Sequence, residues 1–292
     1  MTKVILCASA FARVAVSVAT SVALLWLGNV YAQAPPASSV PLTASAPAPP
    51  PVPAPLPGTP MLTIALQEVH TPLSDVSVMV VTEAFRRAGI GLTFRRLSLA
   101  RQIELANSGE IDGDVHRIAM VAEKYPNLVM VPTSTNRVDV AIYGAEPWLA
   151  SVTREGISKL SVVLQRGIFV LAKYNTSSNT AEAQTVAGAL DMVLNRRVDV
   201  AMLPYTDVEV RTEPPRATDL VRWPYLWASE PMYLLLNRRN AALVPRIDEA
   251  LVQMKQEGFI EAAYRDTLAR HNIKTLAPEP PPPPPDAKRV RR

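Results

Sequence analysis

Residues 83–132 leave this chain few folds to choose from. Val81, Ala84, Phe85 and Ala88 recur at helical spacing, and the pattern stops at Gly89. A short apolar run follows at 92–94. A second helix is expected from Ser98 to the stop at Asn107-Ser108-Gly109, and a strand over 111–115 comes at once. A third, short helix halts at Tyr125-Pro126-Asn127, and 128–131 reads as another strand. Strands and helices alternating at this pitch predict βαβ units and a mostly parallel sheet, an α/β fold.

The alternation continues on both sides. Residues 62–66 predict a first strand running into Glu68-Val69-His70. Thr71 then reads as an N-cap with Pro72 at the first helical position. Further on, 160–164 predicts a strand, Gln165-Arg166-Gly167 opens a helix at Ile168, and a helix over 185–194 precedes a strand over 198–203. Asp112 and Asp199 take matching places, each just inside a strand that follows a helix, and this echo suggests two related lobes. Residues 231–237 predict a late strand. A helix from Val244 follows, with Ile247, Ala250, Leu251 and Met254 inward, broken by Gly258 before a last helix over 259–268. The region 61–277 exceeds one compact α/β lobe and suits two.

Both ends read differently. Lys3 and Arg13 precede an apolar run over 14–27, shorter than the about 20 residues a spanning helix needs. With Val30-Tyr31-Ala32 this reads as a signal peptide over 1–32 cut after Ala32, with an uncleaved anchor as the alternative. Residues 33–60 hold 11 prolines, which fix φ and remove donors, so a disordered extended spacer is expected there. Residues 278–292 repeat the proline run and end in Lys288-Arg289-Val290-Arg291-Arg292. The formal charge of +4 belongs to these ends, because residues 33–285 hold 24 basic and 25 acidic side chains. No nucleic-acid surface is expected, and membrane contact would come only through a partner or the basic tail. Cys7, the single cysteine, lies in the signal, so no disulfide is expected after cleavage. His70, His116 and His271 are scattered, and no phosphate loop or Gly-x-Ser-x-Gly elbow occurs, so no metal or other cofactor is expected.

Ala88-Gly89, the helix holding Arg101, Ser108-Gly109-Glu110-Ile111-Asp112-Gly113-Asp114, Tyr125-Pro126-Asn127-Leu128-Val129 and the closing run 243–258 together resemble solute-binding protein family 3, the periplasmic binding proteins that feed bacterial ABC importers. The resemblance covers nearly all of 61–272. It implies a two-lobe type 2 periplasmic-binding-protein-like fold with two mostly parallel sheets and a hinge. Lobe 1 would hold about 61–144 and 234–277, and lobe 2 about 145–233, with crossings near 134–146 and 223–233. It also implies a periplasmic monomer that is not an enzyme, making and breaking no covalent bonds, that binds a small polar solute such as an amino acid or organic acid and serves an ABC permease or a membrane sensor. The alternatives are a dehydratase or hydrolase on the same fold, drawing on Glu68, His70 or Asp207, and a ligand-free scaffold working through its proline-rich arms.

Six residues are expected at the ligand. Glu68, after the first strand, suits a ligand ammonium or is a solvated loop charge. Arg117 suits a carboxylate held bidentately or sits in a structural ion pair. Arg166 and Gly167, opening a helix, suit an anionic group. Tyr205 is placed to stack on a ligand, and Asp207 to accept from an amine or to cap a short helix. Arg101, Asp112 and Asp199 read as structural. One departure stands out: His116-Arg117-Ile118-Ala119-Met120 lacks the threonine of the Thr-x-x-x-Arg-like segment that amino-acid-binding members typically carry.

Overall fold

The computed structural model describes residues 60–279. The signal peptide, the spacer up to residue 59 and the basic end of the tail lie outside the described residues. Among those described, no helix is long and apolar enough to cross a membrane.

The first lobe opens with β1 (Met61–Gln67), α1 (Pro72–Arg87), β2 (Gly91–Leu97), α2 (Leu99–Ser108), β3 (Gly113–Arg117), α3 (Ala119–Lys124) and β4 (Leu128–Met130). β1 pairs in parallel with β2 on one side and β3 on the other, so α1 and α2 are crossover helices. α1 starts where the sequence predicts. The Thr71 hydroxyl accepts from the Ser74 N–H at 3.2 Å, the Ser74 hydroxyl accepts from the Thr71 N–H at 3.0 Å, and Pro72 forfeits no helical bond. Its inward stripe, from Val76 through Val80, Val81 and Ala84 to Phe85, is buried. α2 ends at Gly109, whose φ of +82° glycine adopts without strain. Gly113 answers a different constraint: a Cβ there would lie 2.4 Å from the Leu235 carbonyl oxygen.

The second lobe holds β5 (Asn136–Gly144), α4 (Arg154–Ile157), β6 (Val162–Gln165), α5 (Phe169–Tyr174), β7 (Thr180–Ala183), α6 (Val186–Leu194), β8 (Val200–Pro204), α7 (Tyr205–Glu209) and β9 (Val221–Arg222). β6 pairs in parallel with β7 and β8, whereas β5 runs antiparallel to β8 and β9. The echo between the two aspartates has a physical basis. Asp112, just before β3, accepts from the Thr63 N–H of β1 at 2.8 Å, and Asp199, just before β8, accepts from the Ser161 N–H ahead of β6 at 2.8 Å. In each lobe one acid pins the neighbouring parallel strand.

β10 (Ala228–Asn237) joins the lobes. Its residues 228–232 pair with β5 in the second sheet, and its second half pairs with β3 and β4 in the first, all antiparallel. The other crossing, residues 131–135, lies alongside: Val131 N–H donates to Leu234 O at 3.0 Å and Thr135 N–H to Met232 O at 2.8 Å. Two adjacent runs of chain therefore form the hinge. α8 (Val244–Gln256) and α9 (Phe259–Arg270) return to the first lobe and pack on α1, with Ile247, Ala250, Leu251 and Met254 buried.

Beyond α9 the chain crosses a third time. Ile273 and Leu276 are buried, and the Ala277 carbonyl accepts from the Leu226 N–H at 2.8 Å. The Lys274 carbonyl accepts from the Tyr205 hydroxyl at 2.7 Å, and Glu279 pairs with Arg154 at 2.8 Å. Arg154 also donates to the Leu226 and Trp227 carbonyls and lies over the Trp227 ring at 4.2 Å. This C-terminal strap ties the last helix of lobe 1 to lobe 2.

The structure corrects several boundaries. β3 and β8 start two residues later than expected, because Asp112 and Asp199 are engaged with the neighbouring strands. Arg117 consequently ends β3 instead of following it. β5, read with the first lobe up to residue 144, belongs to the second sheet, since it pairs with β8 and the first half of β10. Pro278 and Glu279, read as tail, are docked on lobe 2. Among the named strands of the described residues, parallel pairing is confined to the β1, β2, β3 and β6, β7, β8 groups, and β10 runs antiparallel to its neighbours.

Candidate ligand-binding cleft

The carboxyl ends of β1, β3, β6 and β8 meet at one cleft between the lobes, the usual ligand position in α/β sheets. The cleft has two chambers. The inner one, about 70 Å³, is mainly apolar, with Leu73, Leu99 and Val121 from lobe 1 facing Val138, Phe169 and Val170 from lobe 2. The outer one, about 660 Å³, opens between residues 68–71 and 98–100 on one side and 165–167, 184–187, Asp207 and 210–213 on the other. Gln67, Thr71, Leu99, Gly167 and Asp207 border both. The lobes also touch where the Lys124 ammonium lies 5.0 Å from the Phe169 ring centre.

Five of the six residues expected at a ligand border this cleft. Arg117 borders the inner chamber, yet it is 4 % exposed and committed within its own lobe. Its Nε donates to Asp114 at 2.6 Å, and its Nη2 donates to Gln102 Oε1 at 3.0 Å and to the Leu99 carbonyl at 3.3 Å. Asp114 is fully buried. Burial pushes its carboxyl up to about 6, with the Arg117 charge and hydrogen bond pulling the other way. Arg166, at the rim, is paired with Glu182 of β7 at 2.8 Å. Gly167 has a φ of +83° and open space around it, so the turn needs glycine for its backbone alone. Glu68 is exposed at the rim, and its carboxylate has no hydrogen-bond or ion-pair partner among the described residues.

Asp207, in the first turn of α7, stands where the two chambers join. Burial pushes its carboxyl up to about 6, opposed by a 3.3 Å hydrogen bond from the Thr206 hydroxyl. Tyr205 does not reach the cleft. It is 1 % exposed, its hydroxyl serves the strap, and the Arg222 guanidinium lies 5.1 Å from its ring centre. The expected stacking on a ligand therefore gives way to core packing.

Neither a family model nor a curated protein sequence matches this chain. Solved structures do match it in three dimensions. A histidine kinase sensor domain with similarity to periplasmic binding proteins has a TM-score of 0.58 and 18 % identity, covering 72 % of this chain and 96 % of that one. An arginine transport-system periplasmic binding protein from Legionella pneumophila has 0.56 and 14 %, covering 72 % and 100 %. The ancestral amino-acid-binding protein AncCDT-1, a precursor of cyclohexadienyl dehydratase, has 0.55 and 13 %, covering 70 % and 94 %. The fold is that of the two-lobe periplasmic binding proteins.

Within this binding-protein fold, the sequence reading overlooked one residue of the inner chamber. His116 has a φ of +64°, which breaks the alternation of β3, and both His116 and Arg117 border the same chamber. Its Nε2 is buried with no protein partner among the described residues. Burial and then the Arg117 charge push the imidazole down to about 3, against a hydrogen bond with the Leu73 backbone, so the ring is neutral near pH 7. Arg211 and Glu213 were also missed. They sit in a loop with no periodic signal, and only the fold brings that loop to the cleft mouth.

Proposed function

We propose that this protein is a solute-binding protein. It captures a small polar solute by closing its lobes and presents it, outside the cytoplasm, to an ABC importer or a membrane sensor. The observation that carries this reading is the cleft: two chambers with walls from both lobes, backed by two adjacent hinge crossings. Closure of such a hinge buries a ligand, and a few placed polar groups in an apolar pocket fix its orientation. A transport-system binding protein and a sensor domain both share the fold, which supports either kind of membrane partner.

Thermal unfolding of the purified protein against amino acids, organic acids, amines and small sugars tests this. A ligand at a hundred times its Kd adds about 2.7 kcal/mol to stability, a readily measured rise in midpoint. Small-angle scattering of the same sample should show compaction. A flat response across the panel refutes solute capture.

One observation favours a second reading, a dehydratase or hydrolase on this fold. Asp207, its carboxyl raised to about 6, borders the same chamber as the neutral His116, which puts a carboxylate able to take a proton near neutrality beside a hydrogen-bonding ring. Appearance of product from a bound compound would select it.

A further inference from the structure

We infer that the ligand of this cleft is an organic amine, a primary ammonium on a short aliphatic body with no carboxylate beside it. The inference rests on the solute-binding reading and names the chemistry of that site. It follows from which charges the cleft has already committed.

Three arginines border the cleft, and each guanidinium is engaged inside the protein. Arg117 is neutralised by buried Asp114 and further held by Gln102. Arg166 is paired with Glu182 at the exposed rim, where solvent screens its charge. Arg211 directs its Nε to the Pro215 carbonyl at 2.8 Å and its Nη2 to the Glu213 carbonyl at 3.4 Å, contacts that fix the guanidinium at the mouth of the outer chamber but leave its charge in place. His116 adds no charge, and His70 lies 2.7 Å from Asp75. The acids stand differently. Asp207 accepts only the 3.3 Å bond from Thr206, and the Glu68 and Glu213 carboxylates have no partner among the described residues. A ligand carboxylate entering the inner chamber would meet an already neutral Arg117–Asp114 pair and the Asp207 carboxyl. An ammonium would meet an acceptor without a counter-ion.

The position of Asp207 also selects the body of the ligand. Asp207 stands at the junction of the chambers, so an ammonium bound to it points its substituents either inward or to the mouth. Inward lies a chamber of about 70 Å³ walled by Leu73, Leu99, Val121 and Phe169, with room for a short aliphatic end. Outward lie Glu68 and Glu213, two acids against Arg211, the single cation there without an acidic partner among the described residues, an excess that suits a second cationic group. Burial already raises the Asp207 carboxyl, and a bound ammonium supplies the counter-charge that its ionised form lacks.

The test is calorimetric titration of the full chain with matched compounds sharing one skeleton: 3-methylbutylamine, leucine and 4-methylpentanoate, then putrescine against ornithine and agmatine against arginine. At least one amine should bind tenfold or more tighter than its amino acid, and Asp207→Asn should lose that amine at least tenfold. The variant's unfolding midpoint should stay equal or rise, since it removes a charge that burial disfavours. Tighter binding of the amino acid or the acid, or an Asp207→Asn variant that keeps the amine, overturns the amine assignment and leaves solute capture standing. If no amine, amino acid, organic acid or sugar binds, solute capture itself fails and the assignment falls with it.

Discussion

Replacing Arg117 with alanine strands Asp114, a carboxylate with no exposed surface, at the heart of lobe 1. Breaking a buried pair by removing one partner typically costs about 3–5 kcal/mol. Here the cost depends on pH. With Arg117 present, burial already holds the Asp114 carboxyl at about 6, above the unfolded value of 3.8. The folded state therefore binds this proton more readily than the unfolded chain, and stability falls as pH rises through that window. Without Arg117 the carboxyl rises further and stays protonated near neutrality. Near pH 5 both proteins carry the proton, but near pH 7 only the variant does. The destabilisation should thus shrink by about 1.4 kcal/mol between pH 7 and pH 5, the worth of one pKa unit. Urea unfolding of both proteins at the two pH values measures it. The reasoning is refuted if Arg117→Ala leaves the midpoint unchanged near pH 7, or if its effect is the same near pH 5. A variant that unfolds like wild type but no longer binds ligand would show that Arg117 serves the solute and not the fold.

Three further outcomes are expected. Gly113→Ala drives a methyl against the Leu235 carbonyl and should cost about 1–3 kcal/mol in urea unfolding; a neutral result would mean that β3 and β10 separate easily. Thr71→Ala removes half of the capping box and should cost about 1 kcal/mol, with amide exchange rising first at the start of α1. Arg154→Ala takes away the partner of Glu279 and two carbonyl contacts, so amides in 273–279 should exchange faster while α9 keeps its protection; equal protection in both would show that the strap is held by Ile273 and Leu276 instead.

Elements with a strong period were legible in the sequence. α1 and α8 bury the stripes that their spacing marks, and the Thr71-Pro72 start is local chemistry. Residues that depend on three-dimensional partners were not. In a regular strand, residues three apart lie on opposite faces, so nothing in the sequence pairs Asp114 with Arg117; the left-handed turn at His116 brings them together. Tyr205 and Asp207 looked equally suited to a ligand. Their fates part because the strap offers Tyr205 a carbonyl in the core and leaves Asp207 facing the cleft. Composition marked Pro278 as spacer, but Leu226 and Arg154 recruit that segment from the far lobe.

The strap also decides where the two ends of the described chain emerge. Met61 begins β1 in lobe 1, whereas Glu279 is fastened to lobe 2. A rotation of one lobe against the other must then change the distance between these two ends. Any anchor, enzyme or fluorophore attached to both would be pulled or slackened as the cleft shuts. In the proposed solute-binding protein, the third crossing would turn occupancy of the cleft into a displacement between residues 61 and 279.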